Sequence, residues 1–320
     1  MRPRGTSRRG AALIMVIWVM LALGLILSEF VFSTRVSLNA ARSYKMETAG
    51  YYLALGAFYL ALEEINKDFL YLLGGKDGGV HFVREDDELE EVDLTSSARS
   101  GSLPGAGKYF YQIIDEESKM NLNEAAGKRK RLDRFFRSLG IPMGVVRDTI
   151  VDSIMDWHDS NDLHRLNGAE DDYYQSLSPP HYAKNGDFSS TEELLLVKGM
   201  TPRIFYGHGR KRRRAPVDLL TVHDGDGEPN YNTAPPEVLK AVLGTARAEE
   251  VINTRQDNPY KDEKGRSSIF TVVAEGWPEG SEGGRRIKAV VKRSEKEKGE
   301  AVILHWNDLY LHTDIEHAEG

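Results

Sequence analysis

The chain opens with a basic stretch that leads directly into a long uncharged segment. Four arginines lie within the first nine residues, and no charged side chain occurs from Ala11 to Leu27. As a helix, residues 11–27 would be about 25 Å long, which is short but sufficient for the hydrocarbon of a bilayer. Helix-forming residues then continue without a proline to Asn66. The pattern predicts one helix over residues 11–66, with a membrane span followed by a separate core helix as the alternative.

Three interpretations of the N-terminus differ in the fate of the basic stretch. A secretory signal peptide needs a small-residue cleavage site after the apolar core, but Ser28 and Glu29 stand there. A signal anchor would keep the whole segment. A prepilin leader is a basic stretch that ends in glycine and is cut before the apolar segment. The sequence matches this third pattern, which predicts cleavage between Gly10 and Ala11, with leader residues 1–10 in the cytoplasm.

Composition excludes several classes of site. The chain has 320 residues, enough for two folded units, and its net charge of −7 argues against a protein that coats nucleic acid. It contains no cysteine, so disulfides, thiolate zinc sites and thiol nucleophiles are excluded. No nucleophile–base pair stands out either, and we expect no enzyme activity. A calcium-dependent hydrolase is the enzyme-class alternative.

The rest of the chain predicts an α+β fold. β-forming residues mark strands at 109–114, 269–274, 286–292 and 301–306, and residues 67–107 are predicted to be mainly loop. A helical stretch separates the first strand from the others, which predicts a helical insert in a small antiparallel sheet. The predicted units are the helix 11–66, a loop and first strand 67–120, helical units 121–225 and 226–262, strands 263–314 and a tail 315–320.

A weak internal repeat lies inside the helical stretch. The segment Asn121–Ala125 is echoed by Asn230–Ala234, and each is followed by a helical pattern that ends in Leu-Gly. Asparagine oxygens commonly cap the first turn of a helix. We therefore predict two helix–hairpin–helix units whose caps are Asn121, Asn123, Asn230 and Asn232.

An acidic segment follows in the first unit and is a candidate metal site. Ca²⁺ takes about six to eight oxygen ligands and tolerates irregular loops. The spacing is not that of an EF-hand, and a solvated acidic loop is the alternative. His158 and His164 are expected to be neither zinc ligands nor catalysts. We predict a structural Ca²⁺ as the only cofactor, with ligands drawn from Asp159, Asp162, Glu170, Asp171 and Asp172.

Two basic runs, Lys128–Arg131 and Arg210–Arg214, raise the alternative of a membrane-tethered protein for DNA binding or uptake. Helix–hairpin–helix units that bind phosphate use a glycine-rich hairpin, whereas here Pro142 removes a backbone donor from the first hairpin. We therefore expect solvated faces or docking onto acidic proteins, and we do not expect nucleic acid as a partner.

Taken together, these motifs resemble the K-type minor pseudopilins of bacterial type II secretion, also called general secretion pathway protein K. The resemblance covers nearly the whole chain and is carried by the Gly10–Ala11 junction and by the segments Asn121–Ala125, Asp156–Asp159, Leu166–Tyr174, Glu192–Met200 and Asn230–Leu239. It implies a pilin-like helix and sheet with an inserted α-domain of two SAM-like units. It also implies a subunit at the tip of the secretion pseudopilus that initiates or caps assembly.

The same resemblance implies location, processing and partners. The protein would be a single-pass protein of the inner membrane, with a periplasmic C-terminal domain. Prepilin peptidase would cut it and Ala11 would be N-methylated. Its other partners would be the I- and J-type minor pseudopilins and the major pseudopilin. One residue departs from the pattern of most pilin-like subunits, which carry Glu at the fifth mature position, because Met15 stands there.

Overall fold

The computed structural model describes residues 9–85, 87, 94–207, 214–223, 228–281, 283–294 and 301–308. The helices are α1 (Arg9–Asn66), α2 (Leu122–Ala126), α3 (Arg129–Ser138), α4 (Val145–His158), α5 (Asp171–Tyr174), α6 (Pro202–Phe205), α7 (Pro216–Leu219), α8 (Pro236–Leu243) and α9 (Thr245–Thr254). The strands are β1 (Tyr71–Gly74), β2 (Val80–Val83), β3 (Arg99–Leu103), β4 (Gly107–Asp115), β5 (Met120–Asn121), β6 (Leu220–Thr221), β7 (Ile269–Pro278), β8 (Arg285–Arg293) and β9 (Ala301–Asn307).

The predicted α+β class is confirmed. Helix α1 runs unbroken for 58 residues, about 87 Å, and only its C-terminal third packs on the protein. There it lies on a five-stranded antiparallel sheet with strand order β3-β4-β7-β8-β9. The buried helix face presents small side chains and one large ring at helical spacing, and the core it forms includes Ala57, Phe58, Ala61, Ile65, Phe270, Val272 and Ala289.

Two glycines let α1 approach the sheet closely. Gly50 on the helix lies against Gly276 in β7, and both are buried. A Cβ atom on Gly276 would lie 2.2 Å from the carbonyl oxygen of Gly50 and 2.5 Å from the Cβ of Leu53. Only a residue without a side chain therefore fits at this crossing.

The segment 67–107 was predicted to be mainly loop, and this prediction is wrong. Strands β1 and β2 pair as a hairpin, with Tyr71 opposite Val83, and nearly all of their residues are buried. Strand β3 pairs along β4 from Arg99 to Leu103. The local glycine and serine content favours loops, but pairing with a neighbouring strand overrides that preference.

The helical insert joins β4 to β7 and has one continuous core. Helix α3 packs antiparallel to α8, since Ser138 and Arg134 donate to the carbonyls of Glu237 and Ala241. A short parallel bridge between β5 and β6 ties the two halves of the insert together. The core contains buried residues from both predicted units, among them Phe135, Phe136, Ile154, Val238, Leu239 and Val251.

The insert sits at the end of α1 that is farthest from the apolar N-terminal stretch. Gly50 contacts Gly276 near the C-terminal end of β7. At the other end of this strand, Arg266 donates from Nε to the carbonyl of Leu70, just beyond α1, at 2.7 Å. Because the insert leaves the sheet after Asp115 and returns at Ile269, it projects from the C-terminal end of the helix.

A buried carboxylate anchors the insert to the sheet. Asp115, at the end of β4, is 1% exposed and accepts hydrogen bonds from Thr233 Oγ1 at 2.5 Å and Ser267 Oγ at 2.8 Å. Thr233 belongs to the insert and Ser267 to the returning chain. Burial, together with the nearby negative charge of Glu117, raises the pKa of Asp115 to about 7.

We expect this raised pKa to make stability depend on pH. Since the folded state favours protonated Asp115, its contribution is complete below its ordinary pKa of 3.8 and is lost as pH rises to about 7. The free energy of unfolding should fall across this window by at most about 4 kcal/mol from this group. Chemical unfolding of the full chain in detergent measures the slope. Asp115→Asn should flatten it and exposed Asp257→Asn should not, and equal slopes in both variants would contradict the assignment.

Candidate functional site

The N-terminal part of α1 projects away from the rest of the protein. Every described side chain from Ala12 to Lys45 is exposed, including large apolar ones such as Trp18 at 68% and Leu25 at 74%. Among the described helices, this is the one whose length and composition suffice to cross a membrane. An apolar surface of this size is not stable in water, so it requires lipid or other helices around it.

The predicted processing residues lie on this same helix. Gly10 and Ala11 fall within its first turns, and leader residues 1–8 lie outside the described part of the chain. Met15 is 67% exposed on the N-terminal part of α1 from Ala12 to Lys45, which we call the exposed rod. The structure therefore places the junction at the start of a helix that could enter a bundle once the leader is removed.

Exposed aromatic residues extend the rod surface beyond the apolar segment. Tyr44, Tyr52 and Tyr59 are all more than 60% exposed, and their spacing places them on one side of the helix. Gly56 lies between the last two, and a Cβ there would meet no atom within 4 Å. This surface, which we call the tyrosine face, has the rigid aromatic side chains typical of protein interfaces.

The acidic segment forms a network at the end of α4. Arg165 Nη1 lies 2.5 Å from Asp156 Oδ1 and 2.5 Å from Asp159 Oδ2, so one guanidinium bridges two carboxylates. The backbone nitrogen of Arg165 also donates to Asp156, which is fully buried. Three other predicted ligands accept hydrogen bonds from within the insert: Asp162 from Asn185, Asp171 from the backbone of Ala183, and Asp172 from the backbone of Tyr173.

Glu170 is the exception among the five predicted ligands. It is 2% exposed, and neither carboxylate oxygen has a hydrogen-bond partner. Burial raises the pKa of Glu170 to about 7, and repulsion from four neighbouring carboxylates adds to the effect. The repelling groups are Asp156, Asp159, Asp162 and Asp171. A buried acid with unpartnered oxygens is costly unless a cation or proton accompanies it.

Two basic residues that shape this region were not predicted. One is Arg165, described above, and the other is Lys198. The ammonium of Lys198 donates to the carbonyl of Gly168 at 2.9 Å and lies 4.8 Å from the ring centre of Tyr173. Gly168 lies so close to Asp156 that an added Cβ would fall 1.7 Å from Asp156 Oδ2. Lys198 is remote in sequence and has no local signal, whereas Arg165 stands within the acidic segment.

Within the described ranges, no three His, Asp or Glu side chains are gathered closely enough to hold a metal ion as they stand. Glu170 lies within electrostatic range of Asp159, Asp162 and Asp171, and Arg165 contacts both Asp156 and Asp159. His158 bonds instead to Asp187 at 2.9 Å, and His164 lies near the carbonyl of Arg165.

Only one of the four predicted asparagine caps has that role. Asn121 caps α2 by accepting from the backbone of residues 123 and 124. The prediction is wrong for the other three. Asn123 exchanges two hydrogen bonds with the backbone of Phe188, and Asn232 does the same with Tyr260. Asn230 accepts from residue 232 and donates to Ser267, while α8 begins after Pro235. The repeated asparagines thus tie distant backbone segments together.

The first basic run is largely paired within the protein. Lys128 and Arg131 contact Glu124, and Arg129 contacts Asp148 and Asp152. The second run lies outside the described residues except for Arg214. Intramolecular pairing lowers the positive potential available to a phosphate backbone.

Comparisons with known proteins show which family this chain is similar to. Residues 117–206 match the family model of the type II secretion system (T2SS), protein K. The type II secretion system protein K of Aeromonas hydrophila is 26% identical over 82% of this chain and 80% of its own length. The putative protein K of Escherichia coli K12 is 26% identical, and the chain spans 60% of its length. These matches support the resemblance to type II secretion system protein K that the sequence motifs indicate.

The fold agrees with this assignment. The structure matches a chain of the GspK-GspI-GspJ complex of enterotoxigenic Escherichia coli with a TM-score of 0.50. The match covers 86% of this chain and 98% of that one, at 18% identity. The predicted function as a minor pseudopilin of type II secretion is confirmed, and the apolar helix fits a membrane anchor. The protein K family is one of structural subunits.

Proposed function

We propose that this protein K forms the tip of the pseudopilus, where it initiates or caps assembly. The observation that carries the proposal is the position of the insert at the C-terminal end of α1. A subunit stacked above would need the volume that the insert occupies. The exposed rod below it, from Ala12 to Lys45, can pack against the helices of following subunits. The protein would therefore accept neighbours on one side only.

The leader pattern at Gly10 and Ala11 supports one orientation in the membrane. In this proposal the N-terminus is cytoplasmic, the apolar part of α1 spans the inner membrane, and the sheet and insert are periplasmic. Prepilin peptidase removes residues 1–10, so that Ala11 becomes the first residue. Export across the outer membrane would then begin from a pseudopilus that carries this protein at its distal end.

Met15 supports a place at the tip. A carboxylate in hydrocarbon costs about 2.5–3.5 kcal/mol on insertion scales, so a subunit that carries one at this depth needs a cation nearby. In pilin-like filaments this role falls to the N-terminal amine of a neighbouring subunit. A subunit with methionine there needs no such neighbour above it. The substitution thus suits the first subunit of a filament.

The proposed partners are the I- and J-type minor pseudopilins, then the major pseudopilin. The related structure is a complex of K, I and J chains. In this protein the tyrosine face offers the exposed aromatic surface that such helical partners would cover. We expect it to form the contact next to the insert.

Co-purification tests this contact. Full-length protein K, co-expressed with I- and J-type pseudopilins of the same bacterium, should retain both partners in detergent. Tyr52→Arg with Tyr59→Arg should reduce recovery about tenfold or more, because a charge replaces a central aromatic contact. Tyr182→Arg, which alters an equally exposed tyrosine of the insert, should not reduce it. Undiminished recovery with the double variant would refute the contact.

We also propose that the acidic segment binds a structural Ca²⁺. The orphaned carboxylate of Glu170 supports this, since its oxygens are buried beside Asp156 and Asp159. Oxygen-only donors suit a hard cation, and Asp162 lies in the adjoining loop while Asp171 and Asp172 begin α5. A bound ion would pin the loop that follows α4 and relieve repulsion among these carboxylates.

Calcium should raise the melting temperature of the full chain in detergent by about 5 °C over chelator, because it binds only the folded state. Glu170→Gln should remove most of the shift, whereas exposed Glu192→Gln should leave it intact. Calorimetry with CaCl₂ and with EDTA measures both. Equal melting of the unaltered protein under the two conditions would rule out the ion.

A further inference from the structure

Arg165 acts as a counter-ion inside the acidic segment. Its guanidinium bridges Asp156 and Asp159 through one nitrogen at 2.5 Å to each, and no solvent reaches Asp156. The side chain of Arg165 itself is 34% exposed. A buried carboxylate here is therefore neutralised by a residue that can still reach solvent.

One guanidinium does not balance the local charge. Glu170 is buried beside the same carboxylates, and neither of its oxygens has a partner. Asp156, Asp159 and Glu170 together carry up to three negative charges, against the single charge of Arg165. A divalent cation would supply twice that charge and could be bound by oxygens from all three residues.

The same two carboxylates cannot serve both cations fully. A calcium ion needs oxygens at about 2.3–2.6 Å, and a guanidinium nitrogen between Asp156 and Asp159 occupies the space where such an ion would lie. While Arg165 bridges them, Asp156 and Asp159 therefore cannot both bind one ion.

We propose that Arg165 and a divalent cation compete for Asp156 and Asp159, so that ion binding displaces the guanidinium toward solvent. The inference rests on the proposed calcium site and adds a control element to it. Arg165 stands between Leu163 and Leu166, which are 80% and 94% exposed. The displaced side chain therefore places a positive charge beside two exposed leucines, and the loop presents a different surface in each state.

The competition is tested on the full chain in detergent. The protein is first treated with chelator and then titrated with calcium, and isothermal titration calorimetry measures the affinity. Arg165→Met should bind Ca²⁺ about tenfold more tightly than the unaltered protein, because the internal competitor is gone. In chelator the variant should melt lower, since Asp156 loses its counter-ion. Calcium should then raise its melting temperature more than that of the unaltered protein.

Lys184→Met is the matched control. It removes a positive charge from the same part of the insert, but Lys184 pairs with Glu193 and does not bridge the acidic segment. Its calcium affinity should change less than about twofold, as expected for a screened surface charge. If Lys184→Met tightens binding as much as Arg165→Met, the effect is general electrostatics and the competition is refuted.

The outcomes separate the two proposals. If the unaltered protein binds calcium and Arg165→Met binds it equally or more weakly, Arg165 is no competitor while the ion site stands. If neither protein binds, both proposals fail. Should Arg165→Met not fold in chelator, Arg165→Lys provides the same test, since one ammonium bridges two carboxylates less well and binding should tighten by a smaller factor.

Discussion

Replacing Gly10 by valine should leave the full leader on the protein and abolish type II secretion. Under the proposed function, the rod enters the filament only after residues 1–10 are removed. The leader carries four arginines. Each costs about 2.5–3.5 kcal/mol or more in an apolar environment, so an uncut chain would face a penalty on the order of 10 kcal/mol on joining a bundle of apolar helices.

Intact mass measurement and a secretion assay in a strain lacking its own protein K test this prediction. The unaltered protein should begin at Ala11, whereas the Gly10→Val protein should keep its leader and begin at Met1. Gly24→Ala is the matched control, because a Cβ at this exposed position meets no atom within 4 Å. Full secretion by an uncut Gly10→Val protein would overturn both the cleavage and its proposed role.

A second large effect is expected at the crossing of α1 and β7. Gly276→Ala places a Cβ 2.2 Å from the carbonyl oxygen of Gly50 and 2.5 Å from the backbone nitrogen of Ala54, so two backbone groups of α1 stand in its way. The helix must move off the sheet, which typically costs about 1–3 kcal/mol and here should fall at the upper end. Thermal unfolding of the full chain in detergent measures the loss.

Gly283→Ala provides the matched comparison. It introduces the same methyl group in the turn between β7 and β8, where no atom lies within 4 Å, and it should be nearly neutral. Because α1 must be held at a fixed height on the sheet to place the insert, Gly276→Ala should also weaken co-purification with partner pseudopilins. Equal stability of the two variants would show that the crossing tolerates a side chain.

Local patterns predicted those parts of the fold that depend on local chemistry. The β-branched runs that begin at Ile269 and Ala301 form strands, and the proline-free stretch to Asn66 forms a single helix. The hairpin of β1 and β2 escaped prediction because each strand has only four residues and glycines surround them. Short strands acquire their stability from the partner, which a local window does not contain.

In the candidate sites, too, the sequence predicted local composition but not the contacts between distant residues. The acidic residues were visible as a cluster, but nothing in their spacing reveals that Glu170 is buried and Asp172 is not. The asparagines of the repeat have the composition of caps, yet Asn232 bonds to Tyr260, 28 positions away. Roles that depend on contacts distant in sequence require the fold.

The two ends of the insert meet on neighbouring strands. Asp115 stands directly opposite Phe270 in the antiparallel ladder, so the chain leaves and re-enters the sheet at points about 5 Å apart. Strands β4 and β7 can form the same pairs whether a short hairpin or a whole domain connects them. The helical insert can thus change in size or be exchanged during evolution without disturbing the register of the sheet that carries it.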